Sequence, residues 1–165
     1  MVTEEVNAYS TKLLKIFGYN VRRVRERNRF SFSDVERRSG YSRRYISALE
    51  RGEKDVQLST AIRLARALNV PPAMLFTRTL DSGAAPQEAF TEDDFLLVFS
   101  VNVRRCLTAA NKKEIHIYME TGLDTAAINR TLNMRTADPR ISTLAKIAAG
   151  IGVDLSDLLS RAKGG

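Results

Sequence analysis

Apolar residues return along this chain every three or four positions. Val6, Leu13, Phe17, Val21 and Val24 fall on one helical stripe, and Phe95, Phe99, Val103, Cys106 and Leu107 fall on another. Residues three and four apart share a helix face, whereas a half-buried strand requires strict alternation. No convincing alternating run is present, so the pattern predicts an all-α chain.

The pattern also repeats. Asn20-Val21-Arg22-Arg23-Val24 is answered by Asn102-Val103-Arg104-Arg105-Cys106, and Gly40 by Gly122, at an offset of 82. Beyond these, Leu58-Ser59-Thr60 matches Ile141-Ser142-Thr143, Leu64-Ala65 matches Ile147-Ala148, and Val70 matches Val153, at an offset of 83. One residue has been gained in the intervening loop, where length is tolerated. Two tandem units are therefore expected. The first spans 1–76 with a helical extension at its N-terminus, and the second spans 91–165. The linker 77–90 carries Gly, Pro and small residues in TLDSGAAPQEAF.

Helix starts are marked by short side chains that accept from the free amides of a first turn. Ser31 with Asp34 and Thr91 with Asp94 resemble capping boxes in which Asp replaces Glu, and Phe90 with Phe95 suggests a hydrophobic staple. Ser42 and Asp124 stand immediately before two short helical segments. Gly52 is placed to end the first of these in a left-handed conformation.

Charge adds a partner class. The 165 residues carry a formal net charge of +7, which points to a polyanion without separating DNA from RNA or an anionic membrane. Phe17 to Phe76 holds 13 Lys and Arg against 6 Asp and Glu, and 12 of the 13 are Arg. Phe95 to Gly165 holds 10 against 6. A single cysteine, Cys106, excludes an internal disulfide and a thiolate-rich zinc site, and the lone His116 has no companion at metal-binding spacing. No metal site, cofactor or catalysis is expected. Cys106 aligns with Val24 and is expected to act as a small core residue; His116 is expected on the surface. No apolar run approaches the ~18 residues needed to cross a bilayer, and MVTEEVNAYS lacks the order of a signal peptide. A cytoplasmic protein without a membrane partner is expected.

Residues 17–76 resemble a helix-turn-helix domain of the Cro/CI-like, Xre-type repressor family. The matching frame is FGYNVRRVRERN, SFSDVERRSG, YSRRYISALERG with its I-S-x-L-E-x-G pattern, and LSTAIRLARALNV followed by PPAMLF. The resemblance implies a lambda-repressor-like five-helix domain whose third helix enters the DNA major groove, and the repeat implies a second such fold that either contacts DNA or serves a dimerising, protein-facing role. The resemblance places Ser42, Arg43, Arg44, Tyr45, Ser47, Ala48, Arg51 and Lys54 at the DNA. Ile46 and Leu49 face inward, and Arg43, Arg44, Ser47 and Ala48 project outward. Arginine's rigid donor fork fits guanine O6 and N7, so Arg43 and Arg44 are the expected base readers. Tyr45 packs on a thymine methyl or donates to a phosphate; Arg51 and Lys54 flank the helix end near the DNA backbone. Two positions depart from the family. Phe32 stands where Gln often meets a phosphate, and Glu36 where a small residue is common. An acid there repels the backbone unless Arg37, Arg38 or Arg22 compensates.

Laid on this frame, the second unit presents Thr125, Ala126, Asn129 and Arg130, with Asn133 at the place of Arg51 and Leu123, Ile128 and Leu132 apolar. Asn129 suits adenine and Arg130 guanine, although Glu120 and Asp124 are acidic. Arg25 and Glu50 occupy the positions of a structural ion pair in the family; the second unit carries Leu107 and Leu132 instead. A joint replacement by apolar groups is often neutral, while loss of one partner is costly.

The expected function is a DNA-binding transcription regulator, a repressor acting on a double-stranded operator. Two arrangements remain open at this stage. One chain can place two recognition helices on successive grooves, or a homodimer can present two first units while the second units hold it together. Rival readings are an antitoxin bound to a toxin, and a protein-interaction module; an antirepressor is a further possible partner. Tyr118 and Met119 fit either a surface or an interface.

Overall fold

The computed structural model describes residues 2–77, 92–135 and 138–159. These residues form helices α1 (Val2–Arg27), α2 (Phe32–Ser39), α3 (Arg43–Glu50) and α4 (Leu58–Leu68), followed by a 3-10 helix, Pro72–Phe76. The second unit repeats the order with α5 (Glu92–Ala109), α6 (Glu114–Thr121), α7 (Thr125–Leu132), α8 (Ile141–Ile151) and the short α9 (Leu155–Leu158). The fold is all-α, with two helix-turn-helix units in tandem. The expected Thr91 capping box and Phe90 staple lie outside the described residues.

Local chemistry sets the boundaries. Ser31 Oγ accepts from the Asp34 amide at 3.1 Å while Asp34 Oδ2 accepts from the Ser31 amide at 2.7 Å, closing the start of α2. Gly40 and Gly122 end α2 and α6 at φ 82° and 73°, and each amide turns back to the helix it terminates, on Glu36 O and Tyr118 O. A side chain is strained in that left-handed region, which explains glycine at the same place in both units. Asn20 and Asn102 recur for another reason. Asn20 Nδ2 donates to Leu75 O at 3.0 Å and Thr77 O at 2.7 Å, and Asn102 Nδ2 donates to Leu158 O at 2.9 Å. Each amide pins the last short helix of its unit to the first.

Phe17, Val21, Ile46, Leu58, Ile62 and Leu68 are fully buried in the first unit, as are Phe99, Ile117, Ile128 and Ile141 in the second. These side chains belong to one continuous apolar core. Cys106 is only partly buried, unlike Val24, and packs at the edge of that core. His116 is half-buried: its Nδ1 accepts from the Lys113 amide at 2.9 Å and helps close the start of α6.

The units meet through paired, reciprocal contacts. The Leu58 amide donates to Pro139 O and the Ile141 amide to Val56 O, both at 2.8 Å. Asp138 accepts from the Ser59 amide (2.9 Å) and hydroxyl (2.5 Å); Asp55 accepts from the Ser142 amide (3.2 Å) and hydroxyl (2.6 Å). Neither α4 nor α8 has a side-chain cap of its own from Gln57 or Arg140. The leading amides of each helix are satisfied by the other unit instead.

α1 adds a further contact between the units. Its N-terminal end lies along the second unit, where Glu5, Val6 and Tyr9 line a hollow with Glu120, Ala149 and Val153. The Leu155 amide donates to the Tyr9 hydroxyl at 3.0 Å.

Candidate nucleic-acid interface

α3 is held in place by its neighbours before it can present anything. Ile46 and Leu49 are buried. Gly18 on α1 comes so close that a Cβ there would lie 2.1 Å from Leu49 O. Only a hydrogen fits between the helices. Ser42 is spent as the N-cap, accepting from the Tyr45 amide at 3.2 Å. Glu36 Oε2 accepts from the Arg43 amide at 3.0 Å, satisfying a second free donor of the same turn.

Most arginines around this helix are engaged. Arg22 pairs with Glu26 at 3.0 Å and Arg37 with Asp34 at 3.2 Å. Arg38 donates to Ala67 O at 2.6 Å. Arg25 forms two parallel bonds to Glu50, at 2.8 and 3.0 Å, with the side chains 12% and 6% exposed. Its guanidinium also lies 4.1 Å from the centre of the Phe32 ring. The hydrogen bond to Glu50 raises the Arg25 pKa above its ordinary value. Arg51 pairs with Glu53 at 2.9 and 3.1 Å and donates to Ser47 Oγ at 2.6 Å. The same hydrogen bond holds the Glu53 carboxyl below its ordinary value.

Arg43 and Arg44 differ. Both are exposed, and neither side chain has a hydrogen-bond or ion-pair partner among the described residues. Lys54 is likewise exposed. Tyr45 is half-buried against Tyr41, with ring centres 5.2 Å apart, and burial pushes its phenol up. Ala48 departs from the outward set expected of it, being only 6% exposed. The chain turns at Gly52 so that the Glu53 amide reaches Ala48 O at 3.1 Å.

On α7 the pattern shifts along the helix. Asp124 caps it by accepting from the Ala126 amide at 3.1 Å, while Ile128, Thr131 and Leu132 are buried. Thr125, Ala126, Asn129 and Arg130 are exposed, and Leu123 is half-buried. Asn133 is exposed too, but its Oδ1 accepts from Arg104 at 2.9 Å. Leu107 and Leu132 are both buried where the first unit has Arg25 and Glu50.

Comparison with known proteins agrees with this layout. A family model described as a helix-turn-helix domain matches residues 16–75, and one described as a Cro/C1-type HTH DNA-binding domain matches residues 107–163. An uncharacterized HTH-type transcriptional regulator, y4dJ of Sinorhizobium fredii, is 40% identical over 65 residues, covering 39% of this chain and 84% of that protein. The chain belongs to the Cro/CI-like, Xre-type helix-turn-helix family. Control protein C.SmaI of Serratia marcescens is 44% identical over 64 residues, covering 39% of this chain and 76% of that protein. No solved structure matches the chain.

Within this Xre-type frame, two roles escaped sequence reasoning. Glu36 is compensated not by Arg37, Arg38 or Arg22 but by the start of α3. Phe32 serves as the platform on which the Arg25 guanidinium rests. Neither has a periodic signal, because both partners come from separate helices.

Proposed function

We propose that this member of an HTH DNA-binding family is a sequence-specific repressor in the cytoplasm that lays α3 in the major groove of a double-stranded operator. The units act as 1–76 and 91–165, joined by 77–90. Arg43 and Arg44 read base edges, with Tyr45 and Ser47 beside them. Lys54 meets the DNA backbone, and Arg51 joins it by exchanging Glu53 for a phosphate. Ser42 positions the helix rather than touching bases, as does the Arg25–Glu50 pair. In the second unit, Asn129 and Arg130 read bases, Thr125 and Ala126 line the approach, and Asn133 is positioned by Arg104.

The observation that carries this reading is the contrast between engaged and unengaged arginines. Arg22, Arg25, Arg37, Arg38 and Arg51 each have a partner within the unit, whereas Arg43 and Arg44 project from the family's reading helix with none among the described residues. A bidentate arginine–guanine pair gives roughly 1–3 kcal/mol of discrimination. Selection of bound sequences from a random duplex pool is expected to return a defined motif. Arg43→Ala and Arg44→Ala should each relax it at particular base pairs. Lys54→Ala should weaken all sequences alike and reduce the salt slope. A motif untouched by both arginine changes would show that α3 is not the reader.

One feature favours a second reading, in which the second unit also docks a protein such as a toxin or antirepressor. Ile115, Tyr118 and Met119 on α6 are exposed, Met119 by 69%, where the first unit has Ser33, Glu36 and Arg37. Co-purification of a partner whose binding resists salt and is lost in Met119→Glu supports that addition.

A further inference from the structure

We infer that a single chain is already a two-fold-like reading unit, and that its target is one asymmetric duplex site with two unlike halves. This rests on the DNA-reading function proposed above and specifies which duplex is read.

The interface between the units carries the inference. In a two-fold pairing of identical copies, a residue that touches a second residue is touched by that residue's copy in return. The contacts here obey that rule through the repeat: Ser59 to Asp138 answers Ser142 to Asp55, and Leu58 to Pro139 answers Ile141 to Val56, each pair related by an offset of 83. The 3-10 helix Pro72–Phe76 packs on α9, its own counterpart. One chain thus holds both halves of a pairing that two identical chains would otherwise supply. Two reading helices related by a two-fold match the local dyad of B-DNA. α3 ends at Glu50 and α7 at Leu132, five and six residues before the aspartates that cap across the pairing. Each reading helix is therefore tethered within roughly 20 Å of that contact, a reach compatible with grooves ~34 Å apart.

One difference removes the symmetry from the site itself. The outward set on α3 is Arg43 and Arg44 in the first turn; on α7 those positions are Thr125 and Ala126, and the chemistry moves to Asn129 and Arg130, one turn later. The two half-sites must then differ in bases and in where they are read. α1 also ties the halves together, because Val6 and Tyr9 at its N-terminal end lie against the second unit. A second chain pairing through Asp55 and Ser59 would have to displace the second unit from both.

Selection from a random duplex pool, followed by sedimentation of the full chain on the recovered duplex, tests this. One chain per duplex on a non-palindromic motif is expected. Arg43→Ala should relax one half only, and Asn129→Ala or Arg130→Ala the other half only, each by about tenfold, the equivalent of ~1.4 kcal/mol. Replacing the weaker half by a mirrored copy of the stronger should weaken binding by a similar factor. A palindromic motif bound by two chains, with both halves relaxed equally by Arg43→Ala, would overturn the inference and leave the regulator function standing. A wild-type chain that selects no motif would defeat both.

Discussion

The two units hold their first and third helices together by different chemistry. In the first, Arg25 reaches from α1 to Glu50 on α3 through two short bonds, and a glycine, Gly18, lets the backbones approach. In the second, Leu107 and Leu132 are buried against each other's helices, and Ser100, aligned with Gly18, donates its hydroxyl to Leu132 O. The same junction is ionic in one copy and apolar in the other. Position in the fold therefore dictates that the site be filled and satisfied, not which residues do so. What distinguishes the copies is cost of error: an ion pair with one partner removed leaves a charge in a poorly hydrated place, whereas a truncated leucine leaves only a cavity.

That contrast can be broken most sharply at Glu50. Glu50→Ala is expected to destabilise the chain by about 3–5 kcal/mol, measured as the shift in urea unfolding, because Arg25 then loses its carboxylate. The double change Arg25→Leu with Glu50→Leu imports the second unit's solution and should recover all but about 1 kcal/mol. A double variant as unstable as Glu50→Ala would mean that the two junctions are not interchangeable. Leu132→Ala, the mirror experiment, is expected to cost about 2–5 kcal/mol with no dependence on its partner's charge.

Next in size is the exchange of caps. Asp55→Ala and Asp138→Ala each strip a hydroxyl and an amide of their acceptor and should cost about 1–2 kcal/mol, the range for loss of an N-cap. Because the contacts are reciprocal, the two costs should be similar. A large loss for one and none for the other would show that only one crossing supports the pairing.

The smallest effect concerns acid. The Asp34 carboxyl is held below its ordinary value by the Ser31 amide, with the Ser31 hydroxyl and Arg37 assisting. A depressed folded-state pKa adds stability above the ordinary carboxylate value of about 4 and loses it as pH falls toward the lower folded value. Asp34→Asn should therefore lower stability slightly at neutral pH, leave it nearly unchanged in strong acid, and flatten the stability–pH curve between the two.

Much of this was legible from residue order. Helical stripes located α1 and α5, Gly40 and Gly122 marked the turns, and Ser31 with Asp34 announced a capping box whose bonds are present. The likeness of Arg25–Glu50 to Leu107–Leu132 emerged from aligning the repeat. Contacts between distant segments did not. Asp55 and Asp138 read as ordinary loop acids, because the amides they accept from lie 87 and 79 residues away. Ala48 was misplaced for a related reason: helix periodicity describes the helix, not the turn that folds back upon it. Exposure of Arg43 and Arg44 followed from the burial of Ile46 and Leu49, but their lack of internal partners required the positions of every neighbouring carboxylate.

α1 is one uninterrupted helix of 26 residues, which at 1.5 Å per residue makes a rod about 39 Å long. One end is bonded beneath α9 through Tyr9 and the other passes under α3 at Gly18. Such a rod touches both halves of the molecule. Inserting or deleting a residue between Tyr9 and Phe17 would rotate one contact against the other by about 100°, so the two cannot both be kept unless the length of this segment is kept.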